Sequence, residues 1–135
     1  MLSRADNTGS STPTSVPFAI ERSDLDQRTS VISVEGDLDL ASAPRLKWML
    51  VDALGEGHSQ LILDLSGATF MDSTALGVLV GVNRSLEQNG ALAIVCAHAN
   101  LLKIFELSGM DGAFAISPTL EDALAHLNPP AAQAG

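Results

Sequence analysis

The stretch LILDLSGATFMDSTALGVLV, Leu61 to Val80, changes its hydrophobic period partway along. Its first part, QLILDLSG from Gln60 to Gly67, is a nearly continuous apolar run, the signature of a strand covered on at least one face within a largely parallel sheet. From Ser73 to about Gln88 the apolar residues recur at helical spacing, at Ala75, Leu79, Val82 and Leu86, and Asn89-Gly90 stops the helix. On the N-terminal side, PFAIERSD (Pro17–Asp24) and RTSVISVEGDLD (Arg28–Asp39) read as two strands, with an Asp-rich turn from Ser23 to Gln27 compatible with a hairpin. A helix follows over about Ala43 to Leu54, with Ser42 as N-cap, Pro44 in the first turn and Gly55 closing it. On the C-terminal side come the strand ALAIVCA (Ala91–Ala97), the short helix ANLLKIFELSG (Ala99–Gly109), the strand-like AFAIS (Ala113–Ser117) and a last helix, TLEDALAHL, capped by Thr119.

Two strands followed by repeated helix and strand predict one α/β domain: a mostly parallel, four- to five-stranded sheet with an N-terminal antiparallel hairpin and about four helices. Crossovers between its parallel strands should be right-handed. The domain is expected over residues 16–127, with residues 1–15 and 128–135 as flexible tails, since the first is polar and the second carries paired prolines.

The chain has 135 residues, enough for one domain with a real core. Sixteen acidic against seven basic residues give a net charge of -9. That balance argues against direct nucleic-acid binding, which needs clustered Lys and Arg to displace counterions, and against anionic lipid surfaces. The N-terminal segment has no apolar core of a secretion signal, and no run approaches the roughly 18 apolar residues of a membrane span. The single cysteine, Cys96, lies in an apolar run and reads as a buried, inert thiol, which suits a reducing, cytoplasmic setting.

Asp72, Ser73 and Thr74 stand at the head of the central helix, where free backbone N–H groups and the macrodipole favour negative charge. A phosphate on Ser73 would sit where anions are held. Asp72 or Ser73 serving as an ordinary N-cap explains the same residues.

Three segments, in order, resemble the STAS domains, in particular the anti-sigma factor antagonists: VEGDLDLASAPRL (Val34–Leu46), LILDLSGATFMDSTALGVLV, and LLKIFELSGMDGAFAISPTLEDAL (Leu101–Leu124). The resemblance spans Phe18 to Leu127. It implies a single STAS-like domain that is bound rather than catalytic: unmodified, it engages a partner that is both anti-sigma factor and serine kinase, which then releases its sigma factor. Phosphorylation at the position matching Ser73 abolishes binding, and a phosphatase restores it. Thr74 is a second candidate acceptor. Ala75 stands where the family usually has glycine, adding a Cβ where a kinase backbone approaches. Gly36, Asp37 and Asp39 are expected in a turn on the same face as Ser73, so the implied contact set is Gly36, Asp37, Asp39, Asp72, Ser73, Thr74, Ala75 and Gly77. No cofactor is expected, any nucleotide belonging to the partner, and the chain is expected to be a monomer or weak dimer. An accessory or scaffold subunit of a stress-sensing or lipid-transport complex is the alternative.

Other residues have competing structural explanations. Asp37-x-Asp39 lacks an identifiable third carboxylate, so no metal site is expected. Gly77 and Gly81, one helical turn apart, suggest a closely approaching backbone, that of the chain's own sheet or of a partner. Trp48 lies off the stripe Leu46, Met49, Leu50, Ala53 and Leu54, as a contact residue or as cover for a sheet edge or tail. Asp64 is placed at a strand's C-terminal end, near Ser73, with its carboxylate satisfied by backbone. His58, His98 and His126 are scattered, and Cys96 with His98 makes neither a zinc site nor a nucleophile pair.

Overall fold

A computed structural model describes residues 16–86 and 90–127. The expected tails, and the end of the central helix at Glu87 to Asn89, lie outside the described residues. The element order is β1 (Ala19–Asp24), β2 (Thr29–Leu38), α1 (Ala43–Gly55), β3 (Gln60–Met71), α2 (Ser73–Leu86), β4 (Ala91–Val95), α3 (Ala99–Leu107), β5 (Ala115–Ser117) and α4 (Leu120–Leu127). The five strands lie in the order β1-β2-β3-β4-β5. β1 and β2 form the antiparallel hairpin and every other pairing is parallel, as the pattern of elements predicts.

The run Leu61-Ile62-Leu63 is continuous because both faces of β3 are covered. Leu61, Leu63 and Leu65 join Ile32 and Val34 of β2 in the main core, under Leu46 and Leu50 of α1, Leu79 and Val82 of α2, and Phe105 of α3. Ile62 points the other way, with Val31, Ala93 and Val95, and meets Ala123 of α4. Alternate side chains of a strand face opposite sides, so two helical layers require apolar residues at consecutive positions.

Three boundaries differ from expectation for local reasons. β3 runs on through residues 68–71, past the strand expected over Gln60–Gly67, because β2 accepts it through two register shifts, pairing Glu35 with Gly67 and Asp37 with Phe70. Asp64 therefore sits within β3 rather than at its end; its Oδ1 accepts bonds from the Ser66 N–H (2.9 Å) and Oγ (2.6 Å), so its carboxylate is satisfied locally. Ser42 occupies the N-cap position of α1 without a side-chain cap bond. Its Oγ instead donates to Asp37 O (2.7 Å) and accepts from the Asp39 N–H (2.9 Å). α1 runs through Gly55 itself, with Glu56 as C-cap and the left-handed residue at Gly57 (φ 99°). At α4 the expected cap is present: the Asp122 N–H donates to Thr119 Oγ1 at 3.1 Å.

Candidate functional site

The ends of β2 and β3 deliver α2 to one edge of the domain. Leu38 and Met71 are register partners, and the Asp72 N–H donates to Leu38 O at 3.0 Å. Asp72 caps α2, its Oδ1 accepting from the Thr74 N–H (2.9 Å) and the Ala75 N–H (3.2 Å). Ser73 then begins the helix, exposed, and neither its Oγ nor Thr74 Oγ1 has a hydrogen-bond partner among the described residues. The capping duty falls on the carboxylate, which leaves the hydroxyl free.

Beside this head lies an acidic rim. Gly36 and Asp37 are within β2, not in a turn, and Asp37 Oδ1 accepts from Thr69 Oγ1 of β3 at 2.6 Å. Asp39 follows the strand, half-buried, its Oδ1 accepting the Ala41 and Ser42 N–H groups at 3.0 and 3.1 Å. Gly36 is buried at φ 85°, and a Cβ there would fall 2.8 Å from Val16 O, so its role is to let the N-terminal strand pass.

Two placements bear on the expected contact set and on the reading of the paired glycines. Ala75 is fully buried in the main core, so its methyl faces inward and adds nothing to the surface. Gly77 and Gly81 are exposed, and among the described residues a Cβ at either would meet nothing within 4 Å, so no described strand approaches them. They line, with Thr74, Lys47 and Val51, a groove of about 460 Å³ between α1 and α2. Trp48 stands next to it, 69% exposed, over a smaller hollow formed with Pro44, Lys47 and Val51.

Sequence reasoning missed two exposed apolar side chains at the same edge. Leu40, just past Asp39, is 72% exposed, and Phe70, the register partner of Asp37, is 46% exposed. The signal was present for Phe70, an aromatic in the segment between the expected strand and the expected helix. Leu40 carried none, because an apolar residue between Asp39 and Ala41 reads equally well as core.

Cys96 is 2% exposed, and burial pushes its thiol up from the ordinary value. His98 Nε2 lies 3.1 Å from Ser66 O, so the two do not form a reactive pair. His58, one of the three histidines scattered along the sequence, is buried next to Asp24 and Glu56. No helix among the described residues is long and apolar enough to cross a membrane.

The sequence pattern of the STAS domain matches residues 22–123. The chain belongs to the STAS domain family, and within it to the anti-sigma factor antagonists. It is 33% identical over 91 residues to the anti-sigma-B factor antagonist of Bacillus subtilis, covering 67% of this chain and 83% of that protein. To the anti-sigma-F factor antagonist RsfB of Mycobacterium tuberculosis it is 27% identical over 95 residues, covering 70% and 78%. Among solved structures, an anti-sigma factor antagonist from Mycobacterium paratuberculosis superimposes with a TM-score of 0.78 at 28% identity, covering 85% of this chain and 99% of that one. The unphosphorylated form of the antagonist SpoIIAA shares the fold, with a TM-score of 0.71 at 23% identity over 82% of this chain and 96% of its own.

Proposed function

We propose that this protein is an anti-sigma factor antagonist working by partner switching: unphosphorylated, it binds a cytoplasmic anti-sigma factor with serine kinase activity and so frees a sigma factor. Phosphorylation of Ser73 ends the interaction, and a phosphatase restores it. One observation carries the reading: Ser73 is exposed and its Oγ has no hydrogen-bond partner among the described residues, while Asp72 does the capping. A kinase can take that hydroxyl without dismantling the helix start.

The electrostatics favour a switch that leaves the fold intact. A phosphate adds about -1.5 to -2 charges, beside Asp72 on a domain of net charge -9. The helix N-terminus tolerates the anion, so the domain stays folded. A partner surface must desolvate it, and an uncompensated interfacial charge costs about 2–5 kcal/mol, or roughly thirtyfold to several thousandfold in affinity. In this reading Leu40 and Phe70 supply apolar contact beside the hydroxyl, Asp37, Asp39 and Asp72 supply polar contact, and the chain itself performs no chemistry.

The test pairs the purified protein with a candidate anti-sigma kinase and ATP. Phosphate is mapped by mass spectrometry in wild type, Ser73→Ala and Thr74→Ala, with binding of Ser73→Glu measured in parallel. Phosphate on Ser73 and loss of the partner by Ser73→Glu are expected. Phosphate confined to Thr74, or a Ser73→Glu variant that binds as wild type does, overturns the assignment.

A further inference from the structure

At the opposite end of β3 from Ser73, the hairpin and the exit from α1 bring three metal-competent side chains together. Asp24 ends β1, Glu56 caps α1 and His58 lies in the connection to β3. One ligand atom from each lies within 4.8 Å of the other two. The two carboxylates alone would say little, because acidic surface clusters are common without an ion. The histidine is different. His58 is 7% exposed, and its Nδ1 is buried with no hydrogen-bond partner among the described residues. Its Nε2 faces Asp24 Oδ2 at 3.6 Å, too long for a hydrogen bond. An imidazole buried without a hydrogen bond costs free energy; a cation at Nε2 gives that nitrogen a partner, and Nδ1 then carries the ring proton. Two ligands each about 2.0–2.1 Å from a tetrahedral zinc ion stand roughly 3.4 Å apart, close to the observed Nε2–Oδ2 spacing.

Arg22 is the competing cation. Its Nε donates to Asp24 Oδ1 at 2.8 Å and its Nη2 to Glu56 Oε1 at 2.7 Å, with longer contacts from Nη2 to Asp24 Oδ2 (3.2 Å) and from Nη1 to Glu56 Oε2 (3.3 Å). One guanidinium against two carboxylates leaves a negative charge over, and Asp26 lines the same polar hollow. The Nε bond to Asp24 Oδ1 leaves Oδ2, the oxygen nearest His58, as the more weakly held one. A metal ion there requires Arg22 to yield Glu56 and keep Asp24.

We propose that Asp24, Glu56 and His58 form a binding site for a divalent transition cation of the zinc class, with water completing the coordination. One imidazole and two carboxylates suit Zn²⁺ and its neighbours better than Mg²⁺ or Ca²⁺, which favour all-oxygen shells. The ion joins the β1–β2 hairpin to the end of α1. Twelve residues of β3, at about 3.3 Å each, separate this end of the sheet from Ser73, so the site acts on the stability of the domain and not on the partner surface.

The experiment uses the untagged full chain, a chromophoric chelator competing for zinc, and thermal melts with zinc or magnesium. One zinc per chain in the micromolar range is expected, with no response to magnesium. At zinc one hundred times its dissociation constant the folded-to-unfolded ratio rises about a hundredfold. His58→Gln and Asp24→Asn weaken binding at least tenfold, whereas Cys96→Ser and His98→Gln leave it unchanged. Arg22→Gln tightens binding, because both carboxylates are released. Should His58→Gln not fold, the ¹⁵N shifts of the His58 imidazole in wild type report directly, and shifts that do not move with zinc overturn the site. Binding that survives His58→Gln, or that is absent from wild type and Arg22→Gln alike, also overturns it and leaves the cluster as an ion pair with a buried histidine.

Discussion

Replacing Gly77 and Gly81 by alanine should stabilise the free protein. Glycine inside a helix costs about 0.8–1.0 kcal/mol relative to alanine, mainly as backbone entropy lost on folding. That gain is usually cancelled when the new methyl collides with a neighbour, but here a Cβ at either position meets nothing within 4 Å. The double variant should therefore gain about 1.6–2 kcal/mol. For a domain of this size about 1 kcal/mol moves the midpoint by roughly 4 °C, so the melt should rise by about 6–8 °C. Urea denaturation should show a higher midpoint at unchanged slope, because the surface exposed on unfolding hardly changes. A lower midpoint in either single variant would refute the reasoning, since it would mean that something packs on this face. Affinity for the anti-sigma partner, measured on the same variants, reports on the groove. If a partner backbone lies against the glycines, binding weakens while the free chain becomes more stable. Unchanged affinity confines the contact to the first turn of α2 and the acidic rim.

Asp72→Ala removes the acceptor for two N–H groups and should cost about 1 kcal/mol, whereas Ser73→Ala should stay within about 0.5 kcal/mol of wild type because its hydroxyl supports nothing; chemical denaturation of both separates cap from switch. Leu40→Ala and Phe70→Ala should change stability little, being exposed, yet each should weaken partner binding by more than about 1 kcal/mol if they anchor the interface, as calorimetry would show. The bond from Arg22, then that from Ser30, holds the Asp24 carboxyl below its ordinary value, and the backbone N–H groups of Arg28 and Thr29 do the same for Asp26. A depressed folded value gives stability that is complete above the unfolded value of about 3.9 and lost as pH falls through the folded one. The difference in melting midpoint between wild type and Asp26→Asn should therefore be constant from pH 8 to about pH 5 and shrink below about pH 4. Cys96 should resist alkylation at neutral pH until the domain unfolds, because burial both shields the thiol and disfavours the thiolate.

The α/β class was legible because its evidence is local. The helical spacing of Ala75, Leu79, Val82 and Leu86 survives in the buried face of α2, and the unbroken apolar run of β3 reflects its two covered faces. The serine at the head of α2 was legible for the same reason, since a helix start is announced by the residues that make it. Less legible was which residue caps that start: Asp72 and Ser73 are adjacent, both suit the position, and only backbone geometry selects the carboxylate. The same limit applied to Ala75, whose place on the helix was clear but whose inward direction depends on what α2 packs against.

By itself, the sequence determined the order of elements, the apolar faces and the hydroxyl at the head of α2, because these follow from periodicity and from chemistry within a few residues. The tertiary structure decided what lies beside what. Two register shifts in β2 let β3 continue to Met71 and set Phe70 against Asp37. The pairing of α1 with α2 left Gly77 and Gly81 facing a groove in place of a sheet. The closing of the hairpin onto the end of α1 brought Asp24 to Glu56 and His58, more than thirty positions further along the chain, a separation that concealed the cluster. Contacts of that range depend on strand register and on helix packing, neither of which any single window of residues encodes.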